Sequence, residues 1–324
     1  MHRIPTLWKA NAIVFISSFC VMVIELIAGR MLAPYIGVSL YTWTSIIGVI
    51  LAGIALGNYL GGKVADKFTS PLVLAIIIFA GSLATLAILP SIKFIGPAGW
   101  FGEMPLMLDF LLKVLCIFFP PAIILSMVTP MVIKLTLSDL GKTGGVVGAI
   151  YAFSTAGAIL GTFMTGFYFI LWFGTRSIVW LVVAILIFTG VIAWFSWKVP
   201  NRWSMSFRNL KLWLTTAGVI IISLVFSQFR GLWDESFTKE SNYYTIQVET
   251  QDDEKVLILD YMVHGRVVLD DPTDLRLNHI RIFAEMLSYL AIENSAPYVL
   301  HLGGGSYSFS RYMEEIYPES INEV

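Results

Sequence analysis

The sequence predicts an α-helical integral membrane bundle of about seven transmembrane helices followed by a partial α/β domain. Three observations predict it. Of 324 residues, 57% are hydrophobic and 13% charged, with a mean hydropathy of +0.77, whereas soluble domains carry about 25% charge. Apolar runs of membrane-spanning length recur through the first two thirds of the chain. Charge then divides the chain: residues 1–229 hold 14 Lys/Arg against 5 Asp/Glu, and residues 230–324 hold 7 against 17. A transmembrane domain over 1–229 and a soluble domain over 230–324 follow. The basic residues are scattered between apolar runs and do not cluster on one face, so the expected surrounding is a lipid bilayer and not a nucleic acid.

A bilayer core takes about 20 apolar helical residues. On that measure the expected spans are 11–29, 42–61, 72–92, 106–135, 144–173, 177–197 and 212–228. The fourth holds Pro120, Pro121 and Pro130 and should kink or break there, because each proline removes a helical N–H and crowds the preceding turn. The fifth is long enough to tilt or to hide a re-entrant turn at its glycines. Gly48, Gly53, Gly57 and Gly61 mark one face of the second span, and Gly157 and Gly161 repeat the spacing in the fifth, a pattern that lets helix backbones approach closely in lipid. Ala52-Gly53-x-x-Leu56-Gly57 matches Ala156-Gly157-x-x-Leu160-Gly161. This is either a weak internal repeat of the kind transporters show or a coincidence between glycine-rich spans. The first apolar run carries Glu25 and no small-x-small cleavage site, so no cleavable signal is expected.

If each span crosses once, Arg3, Lys9, Lys63, Lys67, Lys134, Lys142, Lys198, Arg202, Arg208 and Lys211 share one side, and the opposite loops hold Arg30, Lys93 and Arg176. The richer side should be cytoplasmic, which places the N-terminus in the cytoplasm; the membrane itself is expected to be a bacterial or archaeal cytoplasmic membrane. Seven crossings carry the soluble domain to the far side, and one misread span returns it, so its side stays open.

The soluble part reads as a strand over 243–249, a turn at Asp252-Asp253-Glu254 and a strand over 256–261, together a hairpin. A helix over 279–291 follows by periodicity. A short buried strand over 298–302 runs into Gly303-Gly304-Gly305. A helix over 309–316 and a strand start over 321–324 complete the beginning of a βαβ unit.

Candidate chemistry lies in both parts. Glu25 and Arg30 flank the end of the first span and Lys113 lies inside the fourth. Ionisable groups at membrane depth cost several kcal/mol unless paired or hydrated, so each is either functional or part of an interhelical ion pair or snorkelling side chain. Glu25 is the expected counter-charge for a cationic ligand. Cys20 and Cys116 sit in apolar stretches and act as small hydrophobes, and no metal-ligand spacing exists. Glycines 303–305, with Ser306, stand where a backbone can approach a ligand at a helix N-terminus, and Arg311 follows in that helix. The Gly-x-Gly-x-x-Gly pattern is absent, which disfavours a nicotinamide cofactor.

Two resemblances add to this. Gly62-Lys63-Val64-Ala65-Asp66-Lys67 resembles the cytoplasmic loop motif of major facilitator transporters, in which the Asp pairs with basic groups and caps a neighbouring helix. A charged turn ahead of a proline-started helix would read the same way. More widely, the run from Glu25 through Arg30 and Pro34 to Gly37, then Tyr41-Thr-Trp43 and Leu56-Gly57-Asn-Tyr-Leu-Gly61-Gly62, resembles membrane-bound spermidine synthase-like proteins. In these a transporter-like module precedes a polyamine aminopropyltransferase domain. Glu240-Ser241-Asn242-Tyr243, Leu257-Ile-Leu-Asp260, Asp270-Asp271-Pro272-Thr273, Val299-Leu300-His-Leu-Gly303-Gly304-Gly305 and Tyr317-Pro318 follow in that family's order.

The resemblance implies a Rossmann-like, methyltransferase-type sheet with decarboxylated S-adenosylmethionine against Gly303, Gly304, Gly305 and Ser306, and an amine acceptor. It also implies departures. Ser306-Tyr307 replaces the family's Asp-Gly, Tyr244 replaces a Gln, and Asp260-Tyr261-Met262-Val263-His264 departs from its Asp-Gly-x-x-Gln. The family's ribose-holding and catalytic acids would lie beyond Val324. A C-terminally truncated chain, inactive by itself and with no assignable general base, is therefore expected.

Three functions stay open: a membrane-anchored aminopropyltransferase, a transporter or sensor of polyamines or other small cations with a vestigial ligand-binding domain, or a truncated product. The soluble piece should be marginally stable unless it packs on the bundle or forms a homodimer.

Overall fold

The computed structural model describes residues 7–97, 104–137, 143–196, 237–241, 243–260, 262–290 and 296–324. The chain divides into two compact units, Met1–Leu232 and Trp233–Val324. The seventh expected span, 212–228, and the basic residues Arg3, Lys142, Lys198, Arg202, Arg208 and Lys211 lie outside the described residues.

The first unit is helical. Helix α1 is Leu7–Ile36, α2 Leu40–Lys67, α3 Pro71–Leu86, α4 Ile88–Ile95, α5 Leu106–Ser126, α6 Val128–Thr136, α7 Thr143–Met164 and α8 Ile170–Ser196, with a π turn at Thr165–Phe169 between the last two. Among the described residues, five stretches are long and apolar enough to cross a membrane: Leu7–Ile36, Leu40–Lys67, Pro71–Ile95, Leu106–Thr136 and Thr143–Trp194. The last has 52 residues, about 78 Å of helix at 1.5 Å per residue, against a hydrocarbon core of about 30 Å. It does not run straight, since at Gly174 (φ 68°, ψ 158°) the backbone leaves the helical region and two helices meet. Only glycine adopts that conformation without steric cost. The fifth expected span thus holds a π turn and ends at this break, and its glycines 157 and 161 stay helical with no re-entrant turn at them.

Two further breaks have one cause. Helix α3 ends at Leu86 and α5 at Ser126. Their carbonyls would have accepted an N–H from residues 90 and 130, had these not been proline. The expected break in the fourth span is therefore at Pro130, while Pro120 and Pro121 lie inside α5. The break ahead of Pro90 was not expected.

The helices run past their expected ends. Glu25 and Arg30 lie within α1, not at its end, and the Gly62–Lys67 motif is the last turns of α2, not a loop. No helix breaker occurs before Thr69-Ser70-Pro71, and Ser70 caps α3 by accepting from the Leu72 amide at 3.3 Å. The connection is reduced to Phe68–Ser70.

The largest helix contacts are α1 with α7, α2 with α5 and α3 with α8. They rest on small residues. A Cβ on Gly53 would lie 2.8 Å from that of Ala122, one on Gly57 2.3 Å from the Ile123 carbonyl oxygen, and one on Gly61 2.7 Å from Met127 Cα. Across the α1–α7 seam, Cβ atoms on Gly157 and Gly161 would lie 2.2 and 2.6 Å from the carbonyl oxygens of Phe15 and Phe19. Lipid tails are as apolar as leucine, so this close backbone approach, and not water exclusion, holds such helices together. Gly48 is not part of the face; it is exposed, with no atom within 4 Å of a Cβ placed there.

In the second unit, β1 (Phe237–Glu240), β2 (Thr245–Gln251), β3 (Glu254–Leu259) and β4 (Met262–Val268) form an antiparallel meander. The expected hairpin is β2–β3, turning at Asp252 with φ 53°. Strand β4 was not expected, because His264, Gly265 and Arg266 interrupt its alternation, and neither was the short polar β1. Helix α9 (Asn278–Leu290) follows. Then β5 (Tyr298–Leu300), α10 (Ser308–Ile316) and β6 (Ile321–Glu323) form a strand–helix–strand unit in which β5 and β6 pair in parallel.

Candidate functional site

In the membrane unit the ionisable side chains sort by partner. Lys113, 1% exposed, pairs with Asp109 at 2.8 Å one turn earlier on α5. The pair is intrahelical, not interhelical. Asp109 was missed by sequence reasoning, although its spacing of four from Lys113 and its place in the first turn of the helix, where the dipole favours an anion, were both legible. Asp66 accepts from Lys134 Nζ at 2.7 Å, joining the last turns of α2 and α6. It does not cap α3, whose cap is Ser70. Gly62 beside it is helical and meets no atom within 4 Å of a Cβ.

Glu25 is half-buried in α1. Among the described residues no ion pair or hydrogen bond involves it, which sets it apart from Asp66 and Asp109, the other described acids of this unit. Arg30 is half-buried one turn further on, next to Gly29, where a Cβ would lie 3.0 Å from the Trp43 indole. Glu25, Arg30 and Lys113 are thus not brought into one ion-pair cluster. A small apolar recess lies one residue from Glu25, lined by Val21, Ile24, Ile50, Ala122 and Leu125. Cys20 is buried and Cys116 exposed, and both are free thiols.

In the second unit the glycine turn is built by the parallel pair around it. His301 donates its amide to the Glu323 carbonyl at 2.7 Å, and its ring meets Asn322 Oδ1 at 3.2 Å. Gly303 (φ 92°) and Gly305 (φ 53°) take left-handed conformations, and Tyr307 (φ 57°), donating its amide to the Gly304 carbonyl at 2.8 Å, precedes α10. Gly303 faces open space, with no atom within 4 Å of a Cβ. Ser306 turns away from that opening: its hydroxyl donates to the Arg266 carbonyl at 3.2 Å, and a Cβ on Gly265 would lie 2.5 Å from that of Ser306. Arg311 also serves the frame, donating to the carbonyls of Val268 at 3.1 Å and Leu269 at 2.8 Å. These contacts seat the glycine turn on β4. Of the four expected cofactor residues, Gly303, Gly304 and Gly305 form the turn and Ser306 anchors it.

Other charged groups of this unit hold local structure. The Asp260 carboxylate accepts from the Thr245 amide at 2.8 Å. Asp271 accepts from the hydroxyl and amide of Thr273, and the hydroxyl bond foremost holds its carboxyl below the usual range. Among the described residues no three His, Cys, Asp or Glu side chains are placed to hold a metal ion.

The apolar helices with their buried small-residue seams define the class: this is an integral membrane protein, with a sheet-containing unit after the bundle. No family model, no curated protein and no solved structure matches the chain.

Proposed function

We propose that this protein is a membrane-bound, spermidine synthase-like polyamine aminopropyltransferase, anchored by its helical unit in a bacterial or archaeal cytoplasmic membrane, N-terminus inside. One observation carries this reading: β5 runs into a turn whose first and third glycines are left-handed, with Gly303 open and β6 returning in parallel. Such a strand-to-helix turn suits a nucleoside-bearing ligand, because bare backbone can approach it closely and backbone amides at the helix start can donate to the neutral oxygens and ring nitrogens of an adenosine. The ligand would be decarboxylated S-adenosylmethionine. In the reaction an amine nitrogen of the acceptor attacks the propyl carbon next to the sulfonium. The C–N bond forms as the C–S bond breaks, the thioether methylthioadenosine leaves, and the new ammonium loses its proton to a base that this chain does not identify. The test is equilibrium binding of methylthioadenosine and of decarboxylated S-adenosylmethionine to the purified protein in detergent. Saturable binding weakened at least tenfold by Gly303→Val is expected; no saturable binding of either compound rules the reading out.

A second reading, transport or sensing of a small cation by the membrane unit, is favoured by Glu25. It is a half-buried carboxylate in a spanning helix, without an ion-pair partner among the described residues, and such a group, costly at membrane depth, is a functional candidate by default. Uptake of radiolabelled putrescine into proteoliposomes, lost in Glu25→Gln, is expected; uptake unaffected by that change would remove Glu25 from the reading.

A further inference from the structure

We infer that the membrane unit is an inverted internal duplication, residue n of α1–α4 being equivalent to residue n + 104 of α5–α8, and that its two halves exchange arrangements to open one end of the bundle and then the other. The inference rests on the transport reading and deepens it.

The offset comes from the glycine match: Gly53 and Gly57 fall on Gly157 and Gly161. The contacts repeat it independently. Gly157 and Gly161 press on the carbonyl oxygens of Phe15 and Phe19 of α1, while on α5 Gly57 presses on the carbonyl oxygen of Ile123 and Gly53, closest to Ala122, lies 3.4 Å from the Phe119 ring. Phe15 and Phe119 are 104 apart, as are Phe19 and Ile123. The α1–α7 seam is thus the α5–α2 seam repeated. Helix α3 begins at Pro71, and the helix after the Gly174 break begins at the equivalent position, Thr175. Thr85 donates its hydroxyl to the Gly81 carbonyl at 2.8 Å, and Thr189 to the Ile185 carbonyl at 2.7 Å, both partners again being 104 apart. Burial follows the same rule. Val14 and Phe118, Ile46 and Ile150, and Leu74 and Ile178 are each 0% exposed.

Residues that meet their own equivalents lie on the symmetry axis. Val21 and Leu125, 104 apart, line one recess. Two contacts straddle the axis: Ser17 donates at 3.1 Å to the carbonyl of Leu125, whose equivalent Val21 is one turn along α1, and Ser82 at 3.3 Å to the carbonyl of Val183, whose equivalent Phe79 is three residues back along α3. Val21 is midway along α1 and Ser82 is close to midway along the Pro71–Ile95 stretch, so the axis runs across the bundle at mid-depth. Each copy contributes three spanning elements, an odd number, so the second copy enters the membrane from the side opposite the first. The axis therefore lies in the membrane plane, the arrangement that supports alternating access around a central site.

The two ends are not identical. Asp66 and Lys134 join α2 to α6 at one end; their equivalents at the other end are Ile170 and Arg30, which cannot form that carboxylate pair. Glu25 is likewise single, its equivalent being Thr129. It lies about 6 Å along α1 from Val21, so one acid near the axis would serve both states.

The test uses the full chain in proteoliposomes with Cys20 and Cys116 replaced by alanine. Spin-label pairs are placed at Lys63 and Leu137 for one end and at Phe167 and Ile36 for the other. On adding putrescine, the first distance should lengthen and the second shorten, by about 5 Å or more. Labelled putrescine uptake is measured on the same preparations. Uptake with both distances unchanged, or changing in the same sense, overturns the inference and leaves the transport reading standing. Exchange of the two distances without uptake supports the inference and removes transport in favour of sensing. Neither exchange nor uptake overturns both.

Discussion

Gly157 lies so close to α1 that a Cβ in its place would sit 2.2 Å from the carbonyl oxygen of Phe15. The obstacle is backbone, which cannot rotate aside as a side chain can. Gly157→Ala should therefore separate the α1–α7 seam, and Gly57→Ala should do the same against the Ile123 carbonyl. Each should cost about 1–3 kcal/mol, the usual range for overpacking, seen as a melting temperature several degrees lower in detergent. Gly48→Ala, facing open space, should be neutral or slightly stabilising, because alanine favours the helix by roughly 0.5–1 kcal/mol. Equal effects of all three would show that the glycines serve propensity and not contact.

Lys113 and Asp109 form a pair with the lysine almost fully buried. Lys113→Met should leave Asp109 uncompensated and cost about 3–5 kcal/mol, whereas Lys113→Met with Asp109→Leu should recover most of the loss, since an apolar pair of similar volume avoids the desolvation penalty. The check is a double-mutant cycle on thermal stability. A double variant as damaged as the single would assign the pair a role beyond mutual neutralisation.

The glycine turn depends on Gly265 as much as on its own glycines. A Cβ at 265 would meet Ser306 Cβ at 2.5 Å, so Gly265→Ala should lift Ser306 off β4 and break its bond to the Arg266 carbonyl. Limited proteolysis between β5 and α10 should quicken several-fold, and methylthioadenosine binding should weaken with it. An unchanged cleavage rate would show that the turn holds its shape without that seat.

Tyr298 hydrogen-bonds to Glu323 across the β5–β6 pair, and that bond, ahead of a smaller effect of burial, raises its phenol above the ordinary value. A raised folded pKa contributes stability that is fully present below the unfolded value of about 10 and is lost as pH rises through the folded one. The β5–β6 pairing should therefore loosen only in the alkaline range. Glu323→Gln should shift Tyr298 back toward ordinary titration, read as the difference between the ultraviolet phenolate curves of the two proteins. Superimposable curves would place the bond outside solution behaviour.

Much of the molecule was legible in the sequence because the signals are local. Hydropathy summed over about 20 residues locates a membrane helix whatever it packs against, and a glycine run after an apolar strand marks a turn whatever it binds. Strand β4 was not legible, since His264, Gly265 and Arg266 hide its alternation and Gly265 is explained only by Ser306 lying on it.

The sequence by itself determined that this is an integral membrane protein with a distinct acidic unit behind it, that prolines break its spanning segments, and that glycines line two of them. The tertiary structure decided the rest. It set Lys113 against Asp109 and not across helices, placed Asp66 on Lys134 and not at the start of α3, turned Ser306 and Arg311 inward as anchors, and matched Gly57 to Ile123 as Gly161 is matched to Phe19. The physical reason is range. Hydrophobicity and proline act on the few residues around them, while a partner is chosen by where the chain returns after a hundred residues, and only packing records that.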